Sequence, residues 1–195
     1  MKTQKKKMST EMLVTGALMT ALVILFQLLA TYTTFFGPFS TAIGLVPIAI
    51  GSILCGPAVG AWLGFVFAIV VFATGGANLF LAVDVPGTIV TVLSKGVLCG
   101  LVSGFTYKAL SKFNSTIAAF SAAIVCPVVN TGVFLLGCFA FFMDDAVKIA
   151  EAIKSPATGT ALFIALALGN FLFELGLNTV LSPVVVKILN VRNKG

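Results

Sequence analysis

A long run without charge is the strongest constraint on how this chain can fold. The 72 residues from Met12 to Val83 include no Asp, Glu, Lys or Arg. A membrane-spanning helix needs about 20 consecutive apolar residues, so a run of this length predicts more than one crossing. The whole chain agrees, because only 9% of its 195 residues are charged, whereas a soluble domain has roughly a quarter. We therefore expect a polytopic membrane protein.

Breaks in the hydropathy divide the chain into six predicted transmembrane helices, which would form an all-α bundle. The tripeptide "CGP" at 55–57 predicts a tight turn between the second and third spans, because proline is tolerated at a helix start and glycine in a turn. The predicted spans are about 12–30, 41–55, 57–74, 88–107, 116–142 and 159–186, between a basic N-terminus at 1–11 and a basic tail at 187–195.

The distribution of basic residues predicts the orientation of the bundle. Nine of the twelve lie at the two termini or between spans four and five, whereas Lys148 and Lys154 lie on the other side. The positive-inside rule then places both termini in the cytoplasm. Lys95 is the one basic residue within a predicted span. The net charge of +6 is thus a topology signal and gives no reason to expect nucleic acid.

Missing residue types disfavour most enzymes. The chain contains no histidine, which removes serine-hydrolase triads and histidine-ligated zinc or haem sites and leaves open an aspartate-based enzyme. Cys55, Cys99, Cys126 and Cys138 have no metal-ligand spacing and are expected to be small packing residues. We expect no enzyme activity and no metal.

Small residues recur at four-residue spacing in three spans. Glycines repeat from Gly56 to Gly64 in span three and from Gly96 to Gly104 in span four. The hydrophobic effect does not drive helices together in lipid, so close packing through small residues does, and these two ridges predict packing within the bundle. Ala17 and Ala21 form a third such face near the predicted cytoplasmic end of span one.

Polar side chains inside the spans are few and converge in depth. Measured from the predicted outer ends at 1.5 Å per residue, Lys95 lies roughly 11 Å deep, Asn130 roughly 18 Å, Asn170 roughly 17 Å and Glu174 roughly 23 Å. Polar residues recur every four positions in span six, at Asn170, Glu174 and Asn178, and so form one polar stripe. Because ionisable groups in lipid are costly, these residues predict a polar cavity in the outer half of the bundle.

Two interpretations of the charged residues stay open. Lys95 and Glu174 could pair with each other, with asparagines as interhelical hydrogen bonds, in which case they hold the bundle and bind nothing. Alternatively, Lys95 binds the carboxylate of a ligand whose hydroxyl and amide groups match the asparagines. The predicted depths separate the two charges by about two helical turns.

Two loops on the predicted outer side could close over such a cavity. "TYTTFFGPFS" provides aromatic residues and "GGANLFLAVDVPG" provides Asn78 between glycine hinges. Tyr32 could equally belong to the aromatic belt at the membrane surface. The candidate ligand contacts are therefore Tyr32, Phe36, Asn78, Lys95, Asn130, Thr131, Asn170 and Glu174.

Two apolar segments resemble a known family. "LVPIAIGSILCGPAVGAWLGFVFAIVV" and "CPVVNTGVFLLG", with six spans and the Ala17–Ala21 face, look like the substrate-binding S component of bacterial energy-coupling factor (ECF) vitamin transporters. The resemblance implies a subunit of the bacterial plasma membrane that captures a vitamin from outside. It also implies docking through Ala17 and Ala21 on a membrane T subunit that carries two ATPases. The chain has no GxxxxGK[ST] phosphate loop, so ATP would be used by the partners and no cofactor bound here.

Within that family the sequence is most similar to members assigned to pantothenate, whose carboxylate suits Lys95 and whose hydroxyl and amide groups suit the asparagines. S components for riboflavin, folate or cobalamin are alternatives, although Trp62, the only tryptophan, is not placed to stack a large flat ring. Two other classes stay open, a stand-alone ion-coupled carrier that protonates Glu174 and a structural membrane protein. No inverted repeat is visible, which disfavours the carrier.

Overall fold

The protein is an assembly of helices. The structure, a computed structural model, describes residues 10–32 and 43–192, and all regular secondary structure within these ranges is helical, as predicted. The described helices are α1 (Thr10–Tyr32), α2 (Leu45–Cys55), α3 (Pro57–Ala73), α4 (Asn78–Leu81), α5 (Val85–Leu110), α6 (Ser115–Phe141), α7 (Ala146–Ala152) and α8 (Gly159–Arg192).

Helix length separates two groups. Helices α1, α5, α6 and α8 are long and apolar enough to cross a membrane. Helices α2 and α3 are also apolar but have only 11 and 17 residues, fewer than the about 20 of a full crossing. The membrane location is supported, whereas the six crossings and the cytoplasmic termini stay predictions. Phe36 and the N-terminal lysines lie outside the described residues.

Side-chain caps fix the start of the two helices that carry Lys95 and Asn130. The Asp84 carboxylate accepts a hydrogen bond from the backbone N–H of Gly87 at 3.2 Å, and Asn114 caps α6 in the same way. Such caps satisfy N–H groups that lack a partner within the helix. Asp84 is therefore a helix cap, and the two caps stabilise the first turns of α5 and α6.

Helix α2 occupies the centre of the bundle. It contacts α1, α3, α5, α6 and α8, and nine of its eleven residues are buried, as expected for a helix that is apolar on all sides. Its one polar side chain, Ser52, lies 3.0 Å from the hydroxyl of Ser103 on α5, and Ser103 donates to the Ala122 carbonyl of α6 at 2.9 Å. The first of these contacts joins α2 to α5, and the second joins α5 to α6.

The turn between α2 and α3 depends on Gly56. This residue has φ +93°, a conformation that other residues rarely adopt, and Pro57 opens α3 directly after it. A Cβ added at Gly56 would meet nothing within 4 Å. Gly56 therefore provides the backbone conformation of the turn. The packing ridge that the spacing predicted for span three begins only at Gly60.

The glycines of α3 and α5 bring two backbones into direct contact. A Cβ added at Gly64 would lie within 3 Å of the Gly96 carbonyl, and one added at Gly60 would lie within 3 Å of the Gly100 carbonyl. A Cβ added at either glycine of α5 would likewise collide with the backbone of α3. Small residues permit this close approach between membrane helices. Both ridges thus pack the bundle on itself, as their spacing indicated.

A hydrophobic cluster with several phenylalanines covers one end of the bundle. It joins α4, α6, α7 and α8 through residues that include Phe80, Phe142 and Phe163. Phe80 belongs to the loop between α3 and α5 and is only 5% exposed, with its ring in edge contact with Phe142 at 5.0 Å between centroids. This loop is therefore packed into the protein.

Replacement of Gly64 by alanine tests the backbone contact. The added methyl would collide with α5, so we expect Gly64→Ala to lower the free energy of unfolding by about 1–3 kcal/mol, measured by denaturation in detergent. Gly176→Ala is the matched control, because nothing lies within 4 Å of a Cβ there. Equal stability of the two variants would contradict the contact between α3 and α5.

Candidate ligand-binding site

A cavity of about 60 Å³ lies between α1, α3, α5, α6 and α8. Phenylalanine and aliphatic side chains form much of its wall, among them Phe67 and Phe134. The polar lining residues are Gln27, Lys95, Asn130, Thr131, Asn170 and Glu174. A cavity of this size holds a few water molecules, whereas ligand pockets usually measure about 300–1,000 Å³. A metabolite would therefore have to push the lining residues apart.

The structure brings together most of the residues singled out in the sequence. Lys95, Asn130, Thr131, Asn170 and Glu174 come from three helices and line this one cavity. Their convergence follows from the depths that helix geometry predicted. Their contact with a ligand remains a prediction.

The other three candidates lie elsewhere or outside the description. Asn78 opens α4, is exposed and is not among the described lining residues. Tyr32 is the last residue of α1, and its side chain lies outside the described part of the structure, as does all of Phe36. The loop contacts predicted from these residues stay predictions.

Asn130 is the most informative polar residue of the cavity. Its side chain is only 4% exposed and its Nδ2 donates to Glu174 Oε2 at 3.5 Å. Its Oδ1 is buried and has no hydrogen-bond partner among the described residues. A buried unsatisfied acceptor is costly. Asn130 can therefore accept a hydrogen bond from a ligand hydroxyl or amide N–H.

Toward the C-terminus of α8, the polar side chains beyond the cavity donate hydrogen bonds to backbone carbonyls of the same helix. Asn178 is 3% exposed and donates to the Glu174 carbonyl at 2.9 Å, and Ser182 donates to the Asn178 carbonyl at 2.7 Å. These groups do not line the cavity. The stripe therefore contributes Asn170 and Glu174 to the site, and the remainder stays within the helix.

The ammonium of Lys95 has aromatic neighbours. Nζ lies 5.3 Å from the ring centroid of Phe134 and 6.0 Å from that of Phe67, within the range of cation–π attraction. In the described ranges, the direct ion pair that the structure contains joins Lys148 to Asp145, not Lys95 to Glu174. The interpretation of Lys95 and Glu174 as a direct ion pair is therefore not what the structure shows.

Gln27 is a lining residue that the sequence interpretation missed. It comes from α1 and is 1% exposed. It is the one carboxamide in the apolar segment 22–30, and an isolated polar side chain in such a segment usually faces the bundle interior. That signal was available in the sequence and adds α1 to the helices that form the site.

The central helix α2 is short and begins beside the cavity. Eleven residues make a helix of about 16 Å, roughly half the hydrocarbon thickness. Gly44, just before α2, packs against Phe67 and Gln27, because a Cβ there would lie 3.1 Å from the Phe67 ring and 3.4 Å from Gln27 Oε1. Both residues line the cavity, so the central helix begins at the cavity wall, with its positive dipole end on that side.

A separate apolar groove of about 400 Å³ lies between α1 and α3. Ala17 lines it, and Ala21 is exposed one turn further along α1. Trp62 borders the groove and is 54% exposed, and its Nε1 donates to Thr20 Oγ1 at 3.3 Å. The tryptophan therefore lies at the apolar groove and does not line the polar cavity, where it would have to be to stack on a ligand.

Comparison with known proteins decides the family. Residues 11–189 match the sequence profile described as "ECF transporter, substrate-specific component". The chain belongs to this family. It is therefore a substrate-binding subunit of a transporter and not an enzyme, and its family partners are the membrane T subunit and the ATPases of the ECF module.

A solved structure of ThiT from Listeria monocytogenes is similar to this S component, with a TM-score of 0.62 and 15% identity. The match covers 91% of this chain and 96% of ThiT. At this identity the likeness establishes a shared fold. No curated protein sequence matches the chain significantly. The family match leaves the ion-coupled carrier and the structural protein without support.

Replacement of Lys95 by methionine tests whether the lysine is structurally paired. Loss of one partner from a buried ion pair costs about 3–5 kcal/mol. Because the described residues include no direct ion pair at Lys95, we expect Lys95→Met to lower the ligand-free unfolding free energy by no more than about 2 kcal/mol, from the loss of the cation–π contacts, measured in detergent. A larger loss that Lys95→Met/Glu174→Gln recovers would instead show that Lys95 and Glu174 pair.

Proposed function

We propose that this S component binds a small water-soluble vitamin with a carboxylate group, pantothenate, in the polar cavity and delivers it to the cytoplasm of a bacterium. The observation that carries the proposal is Lys95, a cation in an apolar bundle without a direct carboxylate partner in the described residues. A charged group inside a membrane domain usually marks a substrate site. A ligand carboxylate would provide Lys95 with a direct ion-pair partner.

The other polar groups fit the rest of pantothenate. This molecule carries hydroxyl groups and an amide beside its carboxylate, so it can donate to the buried Oδ1 of Asn130 and accept from a carboxamide N–H of Asn170. Glu174 is 3% exposed and is hydrogen-bonded by Asn130. Its carboxylate would repel a ligand anion, which favours a binding mode with the carboxylate at Lys95 and the hydroxyl groups at Asn130.

The small cavity favours a small vitamin. At about 60 Å³ in this conformation, the cavity must expand for any vitamin, and the displacement increases with ligand size. Riboflavin, folate and cobalamin are all larger than pantothenate. Phe67 and Phe134 could stack a flat ring, so riboflavin and folate belong in any test.

Thermal denaturation with a panel of vitamins tests the substrate. A ligand at a hundred times its dissociation constant stabilises the folded state by about 2.7 kcal/mol. We expect a shift of the melting temperature with pantothenate, none with thiamine, riboflavin, folate or cobalamin, and loss of the pantothenate shift in Lys95→Met. A shift with thiamine alone would mean that the cavity selects a cation through Glu174.

The same proposal assigns partner docking to the face of α1 that carries Ala17 and Ala21. Both alanines are exposed, and Ala17 opens onto the apolar groove beside α3. Small residues let another membrane helix approach closely. Docking of the T subunit at this face would leave the polar cavity accessible, because the cavity residues of α1 lie further along the helix, at Gln27.

Bulky substitutions separate docking from binding. We expect Ala17→Leu/Ala21→Leu to abolish ATP-driven uptake in vesicles that contain the whole ECF complex, while vitamin affinity stays within about twofold, because the cavity is untouched. Ala140→Leu, an exposed alanine of α6, is the matched control and should support uptake. Loss of vitamin binding in the double variant would place this face in the internal packing.

A further inference from the structure

Two phenyl rings lie beside the ammonium of Lys95 at the cavity wall. The cation lies 5.3 Å from the Phe134 ring centroid and 6.0 Å from that of Phe67. Ring faces attract cations, and the attraction is strongest where water is excluded. Phe67 is 1% exposed, and all three side chains line the cavity.

The ring of Phe134 adjoins a row of buried aromatic residues. Phe80 of α4 makes an edge contact with Phe134 at 5.6 Å and a second one with Phe142 at 5.0 Å between centroids. Phe80 and Phe142 are 5% and 1% exposed. Because closely packed interiors resist displacement, the contact with Phe80 restricts where the Phe134 ring can lie and, through the ring, where the cation can lie.

A carboxylate in the same cavity attracts the Lys95 ammonium without a direct ion pair in the described residues. Glu174 lines the same cavity, and opposite charges attract strongly where the dielectric constant is low. A lysine has a flexible four-carbon stem that could bring its ammonium to the carboxylate. Such a pair would cancel the charge that a ligand anion needs.

We infer that Phe134, assisted by Phe67, is a positioning residue that holds the Lys95 ammonium away from Glu174 and presents it to the carboxylate of the ligand. The inference rests on the proposed function and adds a source of specificity for acidic ligands. Phe134 acts through Lys95, so its removal should affect binding of an acid and spare binding of a neutral analogue.

The test compares pantothenate with pantothenol, the alcohol in which CH₂OH replaces the carboxylate. Dissociation constants of both are measured by calorimetry for the full chain in detergent. Phe134→Leu should weaken pantothenate about tenfold and pantothenol less than twofold. In the Lys95→Met background, Phe134→Leu should no longer discriminate between the two ligands. Phe105→Leu, the deletion of a half-exposed ring of α5 outside both the cavity and the aromatic row, should leave the ratio of affinities unchanged.

Each other outcome contradicts a defined part of the account. Equal weakening of both ligands by Phe134→Leu, or discrimination that persists in Lys95→Met, would show that the ring only shapes the cavity and would overturn the inference. If the wild-type protein bound no carboxylate vitamin, the proposed function and the inference would both fail. Pantothenol binding checks that each variant is folded, and Phe134→Met provides a second deletion of the ring if the leucine variant binds neither ligand.

Discussion

The contact between the glycine backbones of α3 and α5 sets the geometry on which the site depends. Gly64 and Gly96 meet without a side chain between them. Lys95 directly precedes Gly96, and Phe67 follows Gly64 by one helical turn. The close approach therefore places the ammonium near the Phe67 ring, at 6.0 Å from its centroid. Wider separation of the two helices would remove that neighbour from the lysine.

A second constraint comes from the short central helix. Helix α2 fills the middle of the bundle over about half of a membrane thickness and begins just after Gly44, next to the cavity that five other helices line. Polar side chains inside a membrane domain are costly and usually mark a site. A polar ligand can donate to the buried Oδ1 of Asn130, which has no hydrogen-bond partner among the described residues. The architecture therefore combines a closely packed apolar frame with a polar cavity that has at least one buried acceptor available to a ligand.

Much of this arrangement could be predicted because its causes are local. Uncharged runs predict membrane helices, and the depth of Lys95, Asn130 and Glu174 follows from counting residues along those helices. Gln27 was equally visible but was overlooked. The role of Gly56 in a turn and not in the ridge, and the aromatic surroundings of Lys95, depend on how helices pack, which no local pattern specifies. The vitamin could not be fixed, because one lysine and several carboxamides fit many small acids.

The central claim is that a carboxylate vitamin binds in the cavity through Lys95. The most direct measurement is an experimental structure of the protein determined with pantothenate. We expect the vitamin to lie between α5, α6 and α8, with its carboxylate about 2.8 Å from Lys95 Nζ and a hydroxyl or amide donor at Asn130 Oδ1. Pantothenate bound with its carboxylate away from Lys95, or outside this cavity, would contradict the claim.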